Sequence, residues 1–325
     1  MKILITGGAG FIGSYLAKKC LNKNNEVIVI DNLSTGQLKN LEPLINNDNF
    51  KLVIGDVCDK ELVEKLVCES DIVYHLAAVV GVKHVMDNPV DTIRINILGT
   101  ENVLHSCSTN SKKVLIASTS EVYGKAMQYG ENSKGLGEDN DTVMGSTSVR
   151  RWAYATSKAL DEFLALAYFH EKQLPVIIVR FFNTVGPGQL GDYGMVLPIF
   201  VQKALAGDDI PIFGDGTQKR SFGYVEDIVE CTIKLMETDE SIGQVFNVGN
   251  DNEITINQLA EKVISKCNSN SNIKYISFND AYGNGFEDMR RRKPNIEKLE
   301  KVIGFRPVVE IDEIIDKVVD YFKSN

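Results

Sequence analysis

Tyr154 and Lys158 stand four residues apart in Arg150-Arg151-Trp152-Ala153-Tyr154-Ala155-Thr156-Ser157-Lys158, a stretch expected to open a helix that runs to about Lys172. On a helix this spacing puts the two side chains on one face, one turn apart. An ammonium beside a phenol favours the phenolate and lowers a pKa that is about 10 when unperturbed, so the pair can serve as a general base. Taken alone, the spacing reads better as two incidental surface neighbours. Upstream, the apolar run from Lys113 to Ala117 ends in Ser118-Thr119-Ser120-Glu121-Val122-Tyr123-Gly124. That cluster is either a hydroxyl-rich turn or the polar edge where a parallel α/β sheet keeps its chemistry.

Such chemistry needs an electron acceptor, and the first 31 residues offer a place for one. Lys2-Ile3-Leu4-Ile5-Thr6 reads as a strand, broken by Gly7-Gly8-Ala9-Gly10-Phe11-Ile12-Gly13 with glycines at the spacing GxxGxxG. Gly7 permits the tight turn, Gly10 lets backbone approach a pyrophosphate, and Gly13 lets the following helix lie close to the sheet. The helix N-terminus then offers N–H groups and partial positive charge to phosphates. A second run, Glu26 to Ile30, ends at Asp31. An acid there accepts from both ribose hydroxyls and repels a 2′-phosphate, which predicts NAD rather than NADP. Strand, glycine turn, helix, strand and acid in this order satisfy the context that a bare glycine pattern lacks.

The elements that must position these groups alternate along the chain. Phe50–Ile54 predicts a third strand, and Gly55-Asp56-Val57 follows it, with Asp56 either meeting an adenine amino group or capping a helix. Asp59–Cys68 has helical pattern, Asp71–Leu76 predicts a strand, and Ala77-Ala78 is small enough to admit a cofactor beside the backbone. Candidate cofactor contacts are therefore Gly7, Gly10, Phe11, Ile12, Gly13, Asp31, Asn32, Asp56, Val57, Leu76, Ala77 and Ala78, with Tyr154 and Lys158. Pro89–Cys107 carries apolar residues at helical spacing, and Pro175–Arg180 predicts a sixth strand. The stretch from Lys125 to Val149 has no sustained period, and a loop of that length is more often functional than idle. Beyond Asn183 the elements are shorter and mixed, although Val245–Val248 is a strand expected to return to the main sheet. The fold class is α/β, a doubly wound parallel (Rossmann) sheet with a smaller C-terminal α/β substrate domain. Residues 1–182 are expected to bind NAD, with 223–249 returning to that part, and 183–325 mainly to hold substrate.

Composition narrows the partners. With 325 residues and 43% hydrophobic content, a substantial core is affordable, and a net charge of −9 argues against nucleic acid or an anionic membrane surface. No apolar run approaches the roughly 18 residues that span a bilayer, and the chain enters its first strand without a signal peptide. The six cysteines form no CxxC pair and the four histidines have no ligand spacing, so neither a disulfide framework nor a metal site is expected, and a reducing cytoplasm fits. The run Arg290-Arg291-Arg292-Lys293 is a solvated face or a charge neutraliser for a diphosphate or carboxylate.

Together, Gly7/Gly10/Gly13, Asp31, Thr119-Ser120-Glu121-Val122-Tyr123-Gly124, Tyr154/Lys158 and Arg180-Phe181-Phe182-Asn183-Thr184-Val185-Gly186-Pro187 resemble the extended short-chain dehydrogenase/reductases of the nucleotide-sugar epimerase/dehydratase/decarboxylase group. The resemblance implies a retained NAD, Tyr154 as the base on a sugar C4 hydroxyl, Lys158 at the nicotinamide ribose, and Thr119 steadying the hydroxyl. It also implies that Asn183, Arg220 and Arg292 hold a nucleoside diphosphate. Sugar 4,6-dehydratases carry Thr-Asp-Glu where this chain has Thr119-Ser120-Glu121. That triplet, Arg151 before Tyr154, and Arg292-Lys293-Pro294 are similar to UDP-glucuronate decarboxylases, which implies UDP-xylose as product, with Ser120 and Glu121 near the departing carboxylate. Tyr154-Ala155-Thr156-Ser157-Lys158 and Gly81-Val82-Lys83 look more like 4-epimerases of UDP-hexoses or UDP-hexuronates. A silent NAD-binding sensor is a third reading, against which the intact Tyr154, Lys158 and Thr119 argue. The resemblance further implies a homodimer through the helices at Pro89–Cys107 and Trp152–Lys172.

Overall fold

The computed structural model describes residues 1–128, 134–191, 195–282 and 289–324; of Val82, Lys83, His84 and Tyr282 only the backbone is described. The middle of the Lys125–Val149 loop, and the side chains of the Val82-Lys83 epimerase-like signature, lie outside the described residues.

Apolar runs buried on both faces build the centre. Strands β1 (Lys2–Thr6), β2 (Glu26–Asp31), β3 (Phe50–Ile54), β4 (Ile72–His75), β5 (Lys113–Thr119) and β6 (Val176–Phe181) join the strand Gln244–Val248 in one sheet. Its order is β3-β2-β1-β4-β5-β6 and then Gln244–Val248, and every pairing is parallel. The period of two divides each strand between two cores: Ile3, Ile5, Val27 and Val29 face one, Leu4, Ile28 and Ile30 the other. Helices cover both faces, as a doubly wound sheet requires. On one side lies α1 (Phe11–Asn22); on the other are α2 (Lys60–Cys68) and the long pair α4 (Pro89–Thr109) and α5 (Trp152–Lys172). A short α3 (Val82–Asp87), which the sequence pattern does not announce, precedes α4. Among the described residues no helix is long and apolar enough to cross a membrane.

The later elements stand over the carboxyl edge of this sheet. Lys219–Ser221 pairs antiparallel with Glu253–Thr255 and parallel with Arg291–Arg292, in a register that sets Arg292 beside Arg220. Helix α6 (Val196–Ala206) and the parallel pair Ile210–Phe213 with Ile273–Ile276 complete the wall. The long aperiodic loop is tied down at its ends: Gly124 bridges Val143, Leu136 bridges Pro294, and Leu136 is buried with Tyr123 and Phe182.

Candidate functional site

A cavity of about 570 Å³ opens at the carboxyl ends of β1, β4, β5 and β6, beside the point where the strand order reverses between β1 and β4. Ligands of doubly wound sheets bind in this crevice. At one end, Gly7 has φ +70°, and a Cβ there would stand 2.7 Å from Ala77 N, so the turn nests on the segment after β4. A Cβ on Gly13 would meet Gly7 O at 2.4 Å and Gly8 Cα at 2.7 Å, which sets helix α1 directly against the turn. A Cβ on Gly10 would touch only Gly7 O, at 3.1 Å, and otherwise enter the cavity that Gly10 lines. No side chain caps α1 and no acid sits in its first turn, so its leading N–H groups remain for an anion.

Asp31 closes this end. Its Oδ2 accepts from Ala9 N at 2.9 Å and its Oδ1 from Leu33 N at 2.8 Å, leaving lone pairs on both oxygens. Gly36 leaves room for it, since a Cβ there would lie 2.8 Å from the carboxylate. A glycine cradle that a Cβ would fill, an uncapped helix start and a fixed acid fit the diphosphate and ribose of NAD. Phe11, Ile12, Asn32, Val57, Leu76, Ala77 and Ala78 line the same cavity. Asp56 does not. Its carboxylate accepts from Asn32 Nδ2 at 3.1 Å and Cys58 N at 2.8 Å, and the N-cap of α2 is Asp59. Ser34, Thr35 and Asn40 also line the cradle; the small polar run after Asp31 was the available signal for them.

The other end gathers the chemistry. β5 terminates at Thr119, whose Oγ1 accepts from Glu121 N at 3.2 Å and starts a single 3-10 turn, Ser120–Tyr123, against α5. Thr119, Ser120, Glu121, Arg151, Tyr154, Lys158, Asn183, Arg220 and Arg292 all line the cavity. Glu121 is clamped between Arg151 Nη2 at 3.1 Å and Arg292 Nη2 at 2.7 Å, and these arginines hold its carboxyl down to about 2 against the opposing effect of burial. Arg292 Nη1 lies 3.5 Å from Ser120 Oγ, and the buried Arg292 Nε has no hydrogen-bond partner among the described residues. Asn183 Nδ2 donates to Ser221 O at 2.9 Å and Arg220 Nη1 to Lys219 O at 2.9 Å. The basic run is thus divided: Arg290 is exposed, Arg291 pairs with Glu253 at 2.6 Å, and Arg292 is buried in the site.

Tyr154 and Lys158 share the cavity. Lys158 Nζ donates to Asp161 Oδ2 at 2.6 Å. Burial first, then the charge of Glu121 and, more weakly, that of Asp161 push the Tyr154 hydroxyl well above its ordinary value, outweighing a hydrogen bond with Thr119 and the charge of Arg292. The spacing of four correctly puts both residues on one wall, but a buried acid one turn further along captures the ammonium. Asp161 was missed; an acid at i+3 from the lysine was its signal.

Comparison with known proteins bears on this arrangement. The model of the NAD dependent epimerase/dehydratase family matches residues 3–249. A UDP-N-acetyl-alpha-D-glucosaminuronate decarboxylase of Bacillus cytotoxicus is 40% identical over 99% of this chain and 98% of its own length. UDP-glucuronic acid decarboxylase 6 of Arabidopsis thaliana is 37% identical over 99% of this chain and 89% of its own. Among solved structures, a mutant UDP-glucuronic acid 4-epimerase from Bacillus cereus, in complex with UDP-4-deoxy-4-fluoro-glucuronic acid and NAD, superposes with a TM-score of 0.88. It is 27% identical, covering 100% of this chain and 99% of that one.

Proposed function

The chain belongs to the NAD-dependent epimerase/dehydratase family, and from that premise we propose that it is a UDP-hexuronate decarboxylase, acting on UDP-glucuronate to form UDP-xylose. The observation that carries this reading is the Glu121 carboxylate held between Arg151 and Arg292 beside Tyr154. Arg151, Arg220, Arg292 and Lys158 set four cationic groups against Glu121 at this end of the cavity, in a protein of net charge −9. A local cationic pocket in an acidic protein selects an anionic ligand, and a diphosphate with a sugar carboxylate meets it twice over. Ser120 stands where dehydration would need a proton-donating acid.

NAD, when bound at the glycine cradle, supplies the two-electron acceptor for the sugar C4 and returns those electrons at the end of the cycle. Tyr154, as phenolate, takes the C4 hydroxyl proton, and Thr119 holds that oxygen. General-base help of this kind is worth roughly 10²–10⁴ in rate. With C4 a ketone, the C5–C6 bond breaks: CO₂ leaves and its electron pair passes through C5 to the ketone oxygen. Solvent supplies the proton that takes the place of CO₂ at C5, and Tyr154 gives the proton it took back to the C4 oxygen. Arg292 and Arg151 orient the carboxylate, and ionised Glu121 remains as their counter-charge once neutral CO₂ has gone. Arg220 and Asn183 hold the diphosphate.

The 4-epimerase reading shares the first step and rests on Tyr154-Ala155-Thr156-Ser157-Lys158. Incubation with UDP-glucuronate, and in parallel with UDP-N-acetylglucosaminuronate, separates the readings. CO₂ with a UDP-pentose supports decarboxylation, a C4 epimer without CO₂ replaces it, and no turnover of either leaves an NAD-binding protein. Tyr154→Phe is expected to abolish CO₂ release while NAD binding survives; near-normal turnover would place the base elsewhere. We read residues 1–182, with 223–249, as the NAD-binding part and 183–325 as mainly the substrate part. The outer faces of α4 and α5 expose Val90, Ile93, Leu98, Leu160 and Phe163, which supports a homodimer through these helices. Sedimentation at twice the chain mass is the expected result. A cytoplasmic location is part of the same reading, and cell fractionation tests it.

A further inference from the structure

We propose that Asp161 is a positioning residue of this site: its buried carboxylate keeps the Lys158 ammonium charged, and a polar line through Thr100, His75 and Thr6 ties that pair to the glycine turn. The proposal rests on the reading of Tyr154 and Lys158 as the acting pair.

Lys158 is 2% exposed and Asp161 fully buried, at an Nζ to Oδ2 distance of 2.6 Å. A charge this deep persists only with a partner, and Asp161 is the partner that Lys158 meets. Behind it the groups follow in series. Burial pushes the Asp161 carboxyl up, and the charge of Lys158 and then the hydroxyl of Thr100 on α4 ease it back; its Oδ1 makes no well-formed hydrogen bond among the described residues. Thr100 Oγ1 is 3.1 Å from His75 Nε2, His75 Nδ1 is 2.8 Å from Thr6 Oγ1, and Thr6 Oγ1 accepts from Ala77 N at 3.1 Å. Thr6, His75 and Thr100 are all buried.

One assignment of protons lets every donor find an acceptor. Ala77 N–H fills a lone pair of Thr6, so the Thr6 hydroxyl donates to His75 Nδ1. His75 then carries its proton on Nε2 and donates to Thr100, whose hydroxyl is left to point at Asp161. This requires a neutral imidazole, and burial, helped by the charge of Lys158, pushes His75 down to about 3. The line therefore ends in two donors on one carboxylate, an alcohol and the ammonium. Gly7 and Ala77 line the cradle at one end, and Lys158 and Tyr154 the reacting end at the other, so the line lashes the two together beneath the cofactor.

The groups facing Asp161 are Lys158 and Glu162 of its own helix, Thr100 of α4 and, through it, His75 of β4; Glu162 is itself paired with Arg180 at 2.7 Å. Tyr154 faces Glu121, Arg292 and Thr119 besides Asp161. If Asp161 acted on Tyr154 only through its own negative charge, its removal would lower the phenol. If it acts by keeping the ammonium charged, removal deprives the phenol of a cation one turn away and raises it. The two roles have opposite signs.

The test is made on NAD-loaded protein, with the Tyr154 phenolate isolated as the near-ultraviolet difference between each protein and its Tyr154→Phe counterpart, so that no turnover is needed. Asp161→Asn is expected to move the midpoint of that titration upward by about one pH unit or more. Asp161→Glu, which keeps the charge, should move it less, and Thr100→Val should move it upward by a smaller amount. On UDP-glucuronate, kcat of Asp161→Asn should fall at least tenfold, its pH profile displaced the same way, with KM within threefold. A midpoint that stays or moves down in folded Asp161→Asn overturns the proposal, whatever happens to kcat. Should that variant fail to fold, an unmoved midpoint in folded Thr100→Val overturns it. A parent that releases no CO₂ while these midpoints move as stated removes the decarboxylase reading and leaves this one standing.

Discussion

Asp31 and Glu121 both line the same cavity, yet opposite means hold them. Asp31 is fixed by two backbone N–H groups from its own βαβ unit, Ala9 and Leu33, which carry no charge. Glu121 is fixed by two guanidinium groups, Arg151 from the start of α5 and Arg292 from the far half of the chain. Neutral local donors leave a carboxylate free to accept more hydrogen bonds without disturbing anything distant. Opposed charges drawn from separate elements make a lock in which each member depends on the others, because a buried charge left alone is costly. The cofactor end should therefore respond to mutation as a set of separable parts, and the sugar end as a unit.

The largest expected effect tests that unity. Glu121→Gln leaves two arginines facing one another and should lower kcat for CO₂ release about 10²–10³-fold, with NAD affinity changed less than twofold. Comparable loss of NAD affinity would mean that the two ends are not separable. The same residue predicts an acid response. Its carboxyl, at about 2 in the fold against an ordinary 4.5, contributes stability above the ordinary value, and this stability disappears as pH falls through the window between them. About 3 kcal/mol is at stake, and Glu121→Gln should flatten that limb of a stability-against-pH curve measured by denaturant titration.

At the other end, Asp31→Asn removes a charged acceptor and should weaken NAD binding about 10–100-fold. The same change should narrow the preference for NAD over NADP, with kcat at saturating NAD within threefold. A collapse of kcat at saturation would show that Asp31 is coupled to the chemistry after all. The smallest effect is expected from Gly13→Ala, whose Cβ would press on Gly7 O and Gly8 Cα. Over-packing of this kind costs about 1–3 kcal/mol, visible as a lower melting temperature, and it should leave the Glu121 lock untouched.

The cofactor end was legible because its parts are contiguous: the glycine spacing, the uncapped helix and the terminal acid are all set by short-range sterics and backbone hydrogen bonding. The sugar end was legible only as separate fragments. Spacing within Arg290-Arg291-Arg292-Lys293 does not say which arginine turns inward; the resemblance pointed to Arg292, and the parallel register with Lys219–Ser221 sets it beside Arg220. Asp56 is a different case: the acid just past β3 stands outside the cavity lining, with its carboxylate accepting from Asn32 and Cys58.

By itself, the sequence determined the doubly wound sheet, the cradle at its switch point and the shared wall of Tyr154 and Lys158, since the periods of strand and helix fix which residues share a face. Only the tertiary structure decided which charge each ionisable group meets. Coulomb energies at burial depend on a few ångströms of separation and on the removal of water, and neither is encoded by spacing along the chain. That is why the pairing of Lys158 with Asp161, and the raising of Tyr154 by burial and Glu121, appear only once the chain has closed on itself.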